Sequence, residues 1–392
     1  MPDIRGYVEQ FGARSFKEEP FNVLDSLVFS QVCYMPFEGL LDVEGASAGL
    51  PAAWAFLAAR YPDGLTDPFQ QKRYLLTRLS AGAPRYQAVL LHDYVNHVDP
   101  REVTQFSATA FEMPTGERCI AYRGTDLTIA GWVEDLNMSF MSVPAQTLAT
   151  AYLERVAAQR EGTLYLNGHS KGGHLAMFAA STVAPATQAW LAAVHSFDGQ
   201  GLDEGTFHGE GYARVAGRIQ SYVPQSSLVG LLLCYHPIYT VVRSNGLGLL
   251  QHDVLTWQVE GGAFETAPEL DWTSRVTHEA IEEWLQKLDH DDRRLLVDTI
   301  TRVVDAAQAD TVDQITANWR EKGGRMLAAM RELDAPTKKT VRSFLRMLFT
   351  YGANTAVRTI LPGLFRTVFG TLSKKEPDEA CSLPSAALPH DG

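Results

Sequence analysis

The sequence predicts an α/β fold with a mostly parallel central sheet flanked by helices, followed by a C-terminal all-helical extension. Three observations support this prediction. A short apolar run at 164–167 leads into the turn G-H-S-K-G at 168–172 and then into a segment rich in Ala, Leu and Met, which is the order strand, turn, helix. Helix and strand patterns alternate along this part of the chain, as they do around parallel sheets. After Gly262 the patterns are helical.

Length, composition and charge restrict the class of protein. The 392 residues, 45% hydrophobic and 20% charged, are enough for one large α/β domain with an appendage or for two domains. The net charge of −12 argues against a dedicated nucleic-acid-binding protein. Four scattered cysteines lack metal or disulfide spacing, which favours reduced thiols. With neither a signal-peptide pattern nor about 18 consecutive apolar residues, we expect a cytoplasmic protein without a transmembrane helix.

Local patterns predict the remaining elements before Gly262. Residues 1–20 are polar and predict a loosely held arm, whereas apolar residues at helical spacing predict a helix over 21–37. Asp25 lies on or near the apolar face of that helix, either paired with a buried donor or solvated. The other predictions are helices at 51–60, 68–79, 143–159 and 174–183, and strands at 86–95, 103–113, 118–123, 190–197, 218–223, 239–242 and 256–259.

The turn at 168–172 matches the G-x-S-x-G pattern of a nucleophile elbow, with Ser170 as the nucleophile. In an elbow the serine lies on a sharp, strained turn, and glycines at 168, 172 and 173 leave room for the adjacent strand and helix. The backbone N–H of Lys171, at the start of the helix, would face a developing oxyanion and benefit from the helix dipole. Because the bare pattern also arises by chance, a structural turn is the alternative interpretation.

Thr125 is the candidate for a second oxyanion donor. It follows the predicted strand 118–123, about 45 residues before the elbow, in the sequence Y-R-G-T-D. Acyl-transfer enzymes need such a donor from a loop after an earlier strand. The backbone N–H of Thr125 suits this role, with its hydroxyl as support. The alternative is a turn in which Thr125 or Asp126 caps the next helix.

Asp198 is the candidate acid. It directly follows the predicted strand 190–197, and an acid at the C-terminal end of a strand lies at the ligand edge of an open α/β sheet. The alternative for Asp198 is an Asx-turn before Gly199. The nearby Asp203 is more typical of a helix cap.

His252 is the candidate general base. It lies in a Gly-rich loop between two predicted strands and after Ser170 and Asp198, which gives the chain order Ser, Asp, His of α/β-hydrolases. In this assignment His252 takes the proton from Ser170 and later gives it to the leaving group. Asp198 would then hold the imidazole tautomer and stabilise its positive form.

Five other histidines compete with His252. His169 and His174 share the elbow and its helix with the serine, so neither swings easily onto the hydroxyl. His195 lies in the middle of a predicted strand and is typical of a core residue. His208 and His236 lie in loops and remain rivals.

The region after Gly262 is predicted to be helical. The predicted helices are 273–288, 290–307, 312–333 and 337–350, followed by a broken apolar segment at 353–369 and a disordered tail at 374–392. The basic and apolar run 338–375 either lies on an anionic membrane surface or packs as a helical bundle. The chain therefore divides into an arm (1–20), an α/β domain (21–262), a helical region (263–372) and a tail (373–392).

Several motifs resemble known families. Y-R-G-T-D at 122–126 with Trp132 and D-L at 135–136, and G-H-S-K-G-G at 168–173, resemble class-3 lipases of the α/β-hydrolase superfamily. More similar still are the Mbeg-like proteins, a bacterial lipase-like family of unknown function. That similarity covers about residues 20–260 and is carried by 20–27, 197–199, 223–230 and 251–253. The resemblance implies an α/β-hydrolase fold, a serine hydrolase acting on esters or lipids, Ser170 as nucleophile, and Thr125 and Lys171 around the oxyanion.

The chain departs from the class-3 lipases at the acid. In those proteins the acid stands in a turn after the strand that follows the Asp198 strand, and Ser227 occupies the matching place here. A serine cannot charge-stabilise an imidazole as a carboxylate does. Either Asp198 supplies the acid one strand earlier, as in pancreatic-type lipases, or the triad is degenerate.

The sequence thus predicts a serine hydrolase that cleaves carboxylic esters of acyl or lipid type through an acyl-enzyme, with no metal or organic cofactor. Apolar chains fit the leucines at 231–233 and 247–250, which flank the predicted cleft. A thioesterase or a peptidase would use the same machinery. The alternative is a catalytically silent protein of this fold that binds a ligand or partner, with the helical region as its contact surface.

Overall fold

A central β-sheet organises the molecule. The computed structural model describes residues 2–99, 104–125, 138, 143–227, 229–231, 238–272 and 319–333, with scattered positions between 274 and 338. The strands are β1 (Ser47–Gly49), β2 (Leu90–Asp99), β3 (Thr104–Glu112), β4 (Arg118–Tyr122), β5 (Leu164–His169), β6 (Leu191–Phe197), β7 (Ile219–Pro224) and β8 (Tyr239–Val242). Within the described residues they form one eight-stranded sheet in chain order. The pairs from β1 to β4 are antiparallel and those from β4 to β8 are parallel, which confirms the predicted α/β class.

The described residues also form helices. They are α1 (Ile4–Phe11), α2 (Val23–Val32), α3 (Leu50–Arg60), α4 (Pro68–Gly82), α5 (Pro144–Gln159), α6 (Lys171–Thr182), α7 (Pro185–Gln188), α8 (Glu204–Phe207), α9 (Glu210–Val215) and α10 (Trp319–Glu332). Short 3-10 segments lie at Pro84–Tyr86, Ala216–Arg218, Val229–Leu231, Gly248–His252 and Val254–Thr256. A separate two-stranded ribbon joins β9 (Val259–Glu260) to β10 (Ala263–Phe264).

The order of the strands determines which helices cover each face. From β4 to β8, each parallel strand is added on the same side of the strand before it. Because crossovers between parallel strands are right-handed, the helices that connect these strands lie on one face of the sheet. Ile120 and Leu166 accordingly pack in a core cluster with residues of α5 and α6. Cys119 and Ala121, which alternate with Ile120 along β4, pack with α1 to α4 instead. Both faces are covered, as predicted, but the second face is covered by helices that precede the parallel strands in the chain.

The expectation of a loosely held arm at 1–20 is wrong. Residues 4–11 form α1, whose Ile4, Tyr7, Val8 and Phe11 are buried at helical spacing. The stretch that follows is held by the buried guanidinium of Arg85. Its Nη atoms donate to backbone carbonyl oxygens in this stretch, at 2.9 Å for Glu19 and 3.2 Å for both Arg14 and Pro20.

The paired interpretation of Asp25 is confirmed. Its carboxylate lies 2.5 Å from Nη2 and 2.7 Å from Nε of Arg85, and both side chains are buried. The hydroxyls of Tyr86 and Tyr7 donate to the same carboxylate at 2.8 and 3.2 Å. This cluster joins α1, α2 and the 3-10 segment Pro84–Tyr86 that precedes β2.

One predicted strand is largely wrong, and several predicted segments lie outside the described residues. Of the expected strand at 256–259, Thr256 ends the 3-10 turn Val254–Thr256, Trp257 forms an isolated bridge with Ser244, and Val259 begins β9. The Asp253 side chain accepts the Leu255 N–H and caps the 3-10 turn. Helix α10 lies inside the predicted helix 312–333. The predicted helices 273–288, 290–307 and 337–350 lie almost entirely outside the described part of the chain, and the segment 353–369 and the tail lie wholly outside it. Within the described residues no helix has both the length and the apolar character needed to cross a membrane.

Candidate active site

Ser170 lies at the sharp turn between β5 and α6. Its backbone has φ 58° and ψ −131°, a conformation that costs a non-glycine residue about 1–3 kcal/mol. Hydrogen bonds hold the turn: Ser170 N–H donates to the Phe197 carbonyl at 3.0 Å, and Gly173 N–H donates to the Ser170 carbonyl at 2.9 Å. The strained backbone conformation expected for the serine of a G-x-S-x-G pattern is therefore present at Ser170.

Glycines at the elbow are required by close backbone approach. A Cβ added to Gly168 would lie 2.1 Å from the carbonyl carbon of Gly172. One added to Gly172 would lie 2.1 Å from the carbonyl oxygen of Tyr122, at the end of β4. At these two positions β5, α6 and β4 thus approach too closely for any side chain larger than that of glycine, as the sequence predicted.

Asp198 and His252 form a close pair. The Asp198 carboxylate lies 2.6 Å from His252 Nδ1, with Asp198 fully buried and the His252 side chain 27% exposed. Because a carboxylate only accepts hydrogen bonds, Nδ1 carries a proton, and Nε2 is the nitrogen that is left to act as a base. Asp198 also has a positive φ of 50°. A strained loop position thus presents a buried acid to a histidine that solvent and ligands can reach.

Ser227, at the place of the class-3 lipase acid, contacts Asp198 rather than His252. Its Oγ donates to Asp198 Oδ1 at 2.5 Å, while the other carboxylate oxygen faces the imidazole. Gly230 leaves space for this contact, since a Cβ there would lie 2.2 Å from Asp198 Oδ1. Of the two positions considered for the acid, the structure brings Asp198 against the histidine.

The two candidate oxyanion donors belong to segments on either side of Ser170. A Cβ added to Gly124 would lie 3.2 Å from Ser170 Cβ, so the loop after β4 packs against the elbow. Thr125, the next residue, is half-buried. Lys171 is the first residue of α6, and its buried side chain donates from Nζ to the carbonyl oxygen of Gln105 at 3.0 Å. The rest of this loop, 126–137, lies outside the described residues, as does Trp132.

Ser170 and His252, the candidate nucleophile and the candidate base, are near each other but not hydrogen-bonded. Within the described residues, no hydrogen bond joins Ser170 Oγ to His252 Nε2. His252 does lie beside the elbow, because its ring centroid is 4.6 Å from that of His169, the residue before Ser170. Catalytic hydrogen bonds are often long without substrate and tighten when it binds.

The other histidines have separate partners. His174 is buried, with Nδ1 2.6 Å from the Gly201 carbonyl and Nε2 2.8 Å from the Gln146 amide. His195 is a core residue, as predicted, with Nδ1 2.8 Å from the Ser26 hydroxyl. Burial lowers the pKa of both imidazoles, that of His195 to about 4. His208 lies at the exposed end of α8, and His236 lies outside the described residues.

Sequence reasoning missed two contacts of the elbow. It set His169 aside, yet His169 touches both Tyr34 and the backbone of His252. It did not consider Tyr34, which follows α2. Both contacts link segments far apart in the chain, so no local pattern could have revealed them. In the described part of the chain, no group of three or more His, Cys, Asp or Glu side chains is arranged to hold a metal ion.

Comparisons with known proteins identify one family and two similar solved structures. A family model described as Mbeg1-like matches residues 80–302, more than half of the chain, including Ser170, Asp198 and His252. Two solved structures are similar to the chain. The crystal structure of M37 lipase has 13% identity and a TM-score of 0.32, over 54% of this chain and 70% of that one. A triacylglycerol lipase from Penicillium expansum has 12% identity and a TM-score of 0.28, over 46% and 81%. No curated protein matches the chain.

Proposed function

The chain belongs to the Mbeg1-like family, and we propose that it is a serine hydrolase that cleaves carboxylic esters, with Ser170 as nucleophile, His252 as general base and Asp198 as the acid that orients it. The observation that carries this proposal is the 2.6 Å contact between Asp198 and His252 Nδ1 beside a strained serine. A buried carboxylate on one imidazole nitrogen leaves the other nitrogen basic and fixes the ring orientation. This is the arrangement that a serine nucleophile needs for activation.

The proposed reaction has two halves. Nε2 of His252 takes the proton of the Ser170 hydroxyl as Oγ attacks the ester carbonyl carbon, and the carbonyl oxygen becomes an oxyanion. Collapse of this intermediate breaks the bond to the alcohol oxygen, which leaves with the proton from His252. Water then attacks the acyl-enzyme while His252 takes its proton. The second collapse releases the carboxylic acid, and the proton returns to Ser170.

We assign the backbone N–H groups of Thr125 and Lys171 to the oxyanion. Lys171 lies at the first position of α6, where the helix dipole adds positive potential. The loop that carries Thr125 packs against the elbow through Gly124. Removing one oxyanion donor typically costs about 10²–10³ in kcat, so this loop is as important to the proposal as the triad.

Apolar side chains near the base favour substrates with an acyl chain. Leu247 is 76% exposed and Leu250 is 52% exposed, both in the loop that leads to His252. Exposed leucines next to a reactive group are suited to contact a hydrocarbon chain. We therefore propose esters with an apolar acyl part as the substrate class. The leucines at 232–233, expected in the same role, lie outside the described residues.

The test is labelling with a fluorophosphonate probe together with turnover of p-nitrophenyl butyrate. We expect the wild type to be labelled, and Ser170→Ala and His252→Ala to lose the label and about 10³-fold or more in rate. Ser181→Ala is the matched control, because Ser181 is a buried serine of the same helix whose hydroxyl bonds the Met177 carbonyl. A folded wild type that is neither labelled nor active on a range of esters and thioesters would overturn the proposal in favour of a silent binding protein.

A further inference from the structure

The ring of His169 lies between two other parts of the proposed site. His169 ends β5, directly before Ser170, and is buried. Its Nε2 lies 2.8 Å from the backbone carbonyl oxygen of His252, and its Nδ1 lies 3.2 Å from the hydroxyl of Tyr34. The side chain that precedes the nucleophile thus contacts the backbone of the proposed base.

The partners of His169 determine where its proton lies. A carbonyl oxygen can only accept, so Nε2 carries the hydrogen and donates it to His252. Burial, with His252 and Arg73 nearby, holds the pKa of His169 well below its usual range, so the ring is neutral. Nδ1 is then an acceptor, and Tyr34 O–H must donate to it. The direction of both hydrogen bonds follows without further assumption.

Tyr34 also contacts the loop after β4. The contact is tight, since a Cβ on Gly124 would lie 2.2 Å from the Tyr34 hydroxyl oxygen. The guanidinium of Arg73, 3.7 Å from the ring centroid, stacks on Tyr34 and donates from Nε to the Gln31 amide oxygen at 3.0 Å. The Tyr34 side chain is therefore contacted both on the face of its ring and at its hydroxyl.

We infer that Tyr34 is a positioning residue of the proposed hydrolase. Hydrogen bonds run from Tyr34 O–H to His169 and from His169 to the His252 carbonyl, and the Tyr34 hydroxyl packs against Gly124. They set the spacing between the loop of the oxyanion donor, the nucleophile elbow and the base. The inference rests on the proposed function and extends it, because Tyr34 comes from the N-terminal helices, before the segment that the family model matches.

Removing the Tyr34 hydroxyl should affect the chemical step more than substrate binding. Tyr34→Phe leaves His169 Nδ1 without its partner in a buried place. Because Tyr34 is buried, the change removes no surface that a substrate could touch. We expect kcat to fall about tenfold, the equivalent of one hydrogen bond, with KM changed by less than about twofold.

A double-mutant cycle tests whether the two side chains act together. His169→Gln keeps a donor that can reach the His252 carbonyl but removes the acceptor for Tyr34. We expect it to lose about as much kcat as Tyr34→Phe, and the double variant to lose little more than either single variant. Tyr152→Phe is the matched control, because that buried hydroxyl donates to the Asp93 backbone carbonyl at 2.9 Å, away from the elbow. It should leave kcat unchanged.

A second measurement does not depend on activity. Nitrogen NMR of the protein with 15N-labelled histidine should find His169 protonated at Nε2 only, and its Nδ1 resonance should move in Tyr34→Phe but not in Tyr152→Phe. A wild type that is neither labelled nor active would overturn the proposed function and this inference together. An active wild type in which Tyr34→Phe behaves like Tyr152→Phe, or in which His169 is protonated at Nδ1, would overturn this inference alone.

Discussion

Asp25 and Asp198 are both fully buried, yet their surroundings differ in one respect. Asp25 is paired with the guanidinium of Arg85, which is itself 1% exposed. Asp198 is paired with an imidazole that is 27% exposed. Arginine stays charged at every relevant pH, whereas a histidine gains and loses a proton near neutrality. The first carboxylate therefore has a fixed partner, and the second has one that can respond to a reaction.

This difference suggests how to separate a structural acid from a catalytic one. Both aspartates accept a hydroxyl hydrogen bond and lie beside apolar segments, so neither burial nor hydrogen bonding distinguishes them. The distinction lies in whether the partner can change its charge and can be reached. Three predictions test this comparison and one tests a buried histidine, and they run from the largest expected effect to the smallest.

Asp198→Asn should cost about 10³–10⁴ in kcat, with little change in stability. An amide in place of the carboxylate donates to Nδ1 of His252, so the ring proton moves to Nε2 and the base is lost. Turnover of p-nitrophenyl butyrate and thermal unfolding measure the two effects. A rate within tenfold of the wild type would remove Asp198 from the proposed triad.

Asp25→Asn should lower the free energy of unfolding by about 3–5 kcal/mol, because it leaves the Arg85 charge buried and unpaired. The molecules that remain folded should keep their specific activity. Urea unfolding measures the loss, with Asp203→Asn as a control at the exposed cap of α8, where Asn caps about as well as Asp. A stable Asp25→Asn variant with impaired kcat would reverse the roles assigned to the two acids.

Acid should destabilise the fold through its buried histidines. Burial lowers the pKa of His195 to about 4, whereas the unfolded chain has the ordinary value near 6.5. Between these two pH values the unfolded state binds more protons, so stability falls as the pH decreases through that range. For His195 alone the loss is about 3 kcal/mol when complete. His195→Gln should flatten the dependence of the unfolding temperature on pH between about 7 and 4.5, and an unchanged slope would contradict this.

Ser227→Ala should have the smallest effect, about a tenfold loss of kcat. The variant removes a hydrogen bond from Asp198 but leaves the carboxylate on His252. Ser226→Ala is the matched control, because the Ser226 hydroxyl bonds Asp271 instead. Equal rates for the two variants would show that Ser227 does not help to orient the acid.

The sequence predicted the parts of the molecule that depend on local pattern. The elbow, the position of Asp198 after a strand and the loop of His252 follow from residues adjacent in the chain. Their contacts could not be predicted in the same way. Tyr34 and His169 are 135 residues apart, and His169 and His252 are 83 apart. Such pairs are brought together only by the order of the strands.

The two errors have physical reasons. The first residues are polar on average, but Ile4, Tyr7, Val8 and Phe11 recur at helical spacing and bury that face. Average polarity thus concealed a periodic signal that was present in the sequence. At 256–259 the residues favour a strand, but the side chain of Asp253 accepts the Leu255 N–H and caps a 3-10 turn that runs to Thr256, so the strand begins only at Val259.

The strands lie side by side in the order in which they occur in the chain, and this order has a consequence for synthesis on the ribosome. The apolar face of α2 packs on strands up to Phe197, which are made roughly 160 residues later, or about 8–30 s at usual rates of translation. During that interval the helical layer made first has only part of its sheet to cover. We expect the nascent chain to depend on chaperones until β6 has emerged. We also expect a fragment that begins at residue 80, where the family match begins, to expose permanently the face of the sheet that α1 to α4 cover.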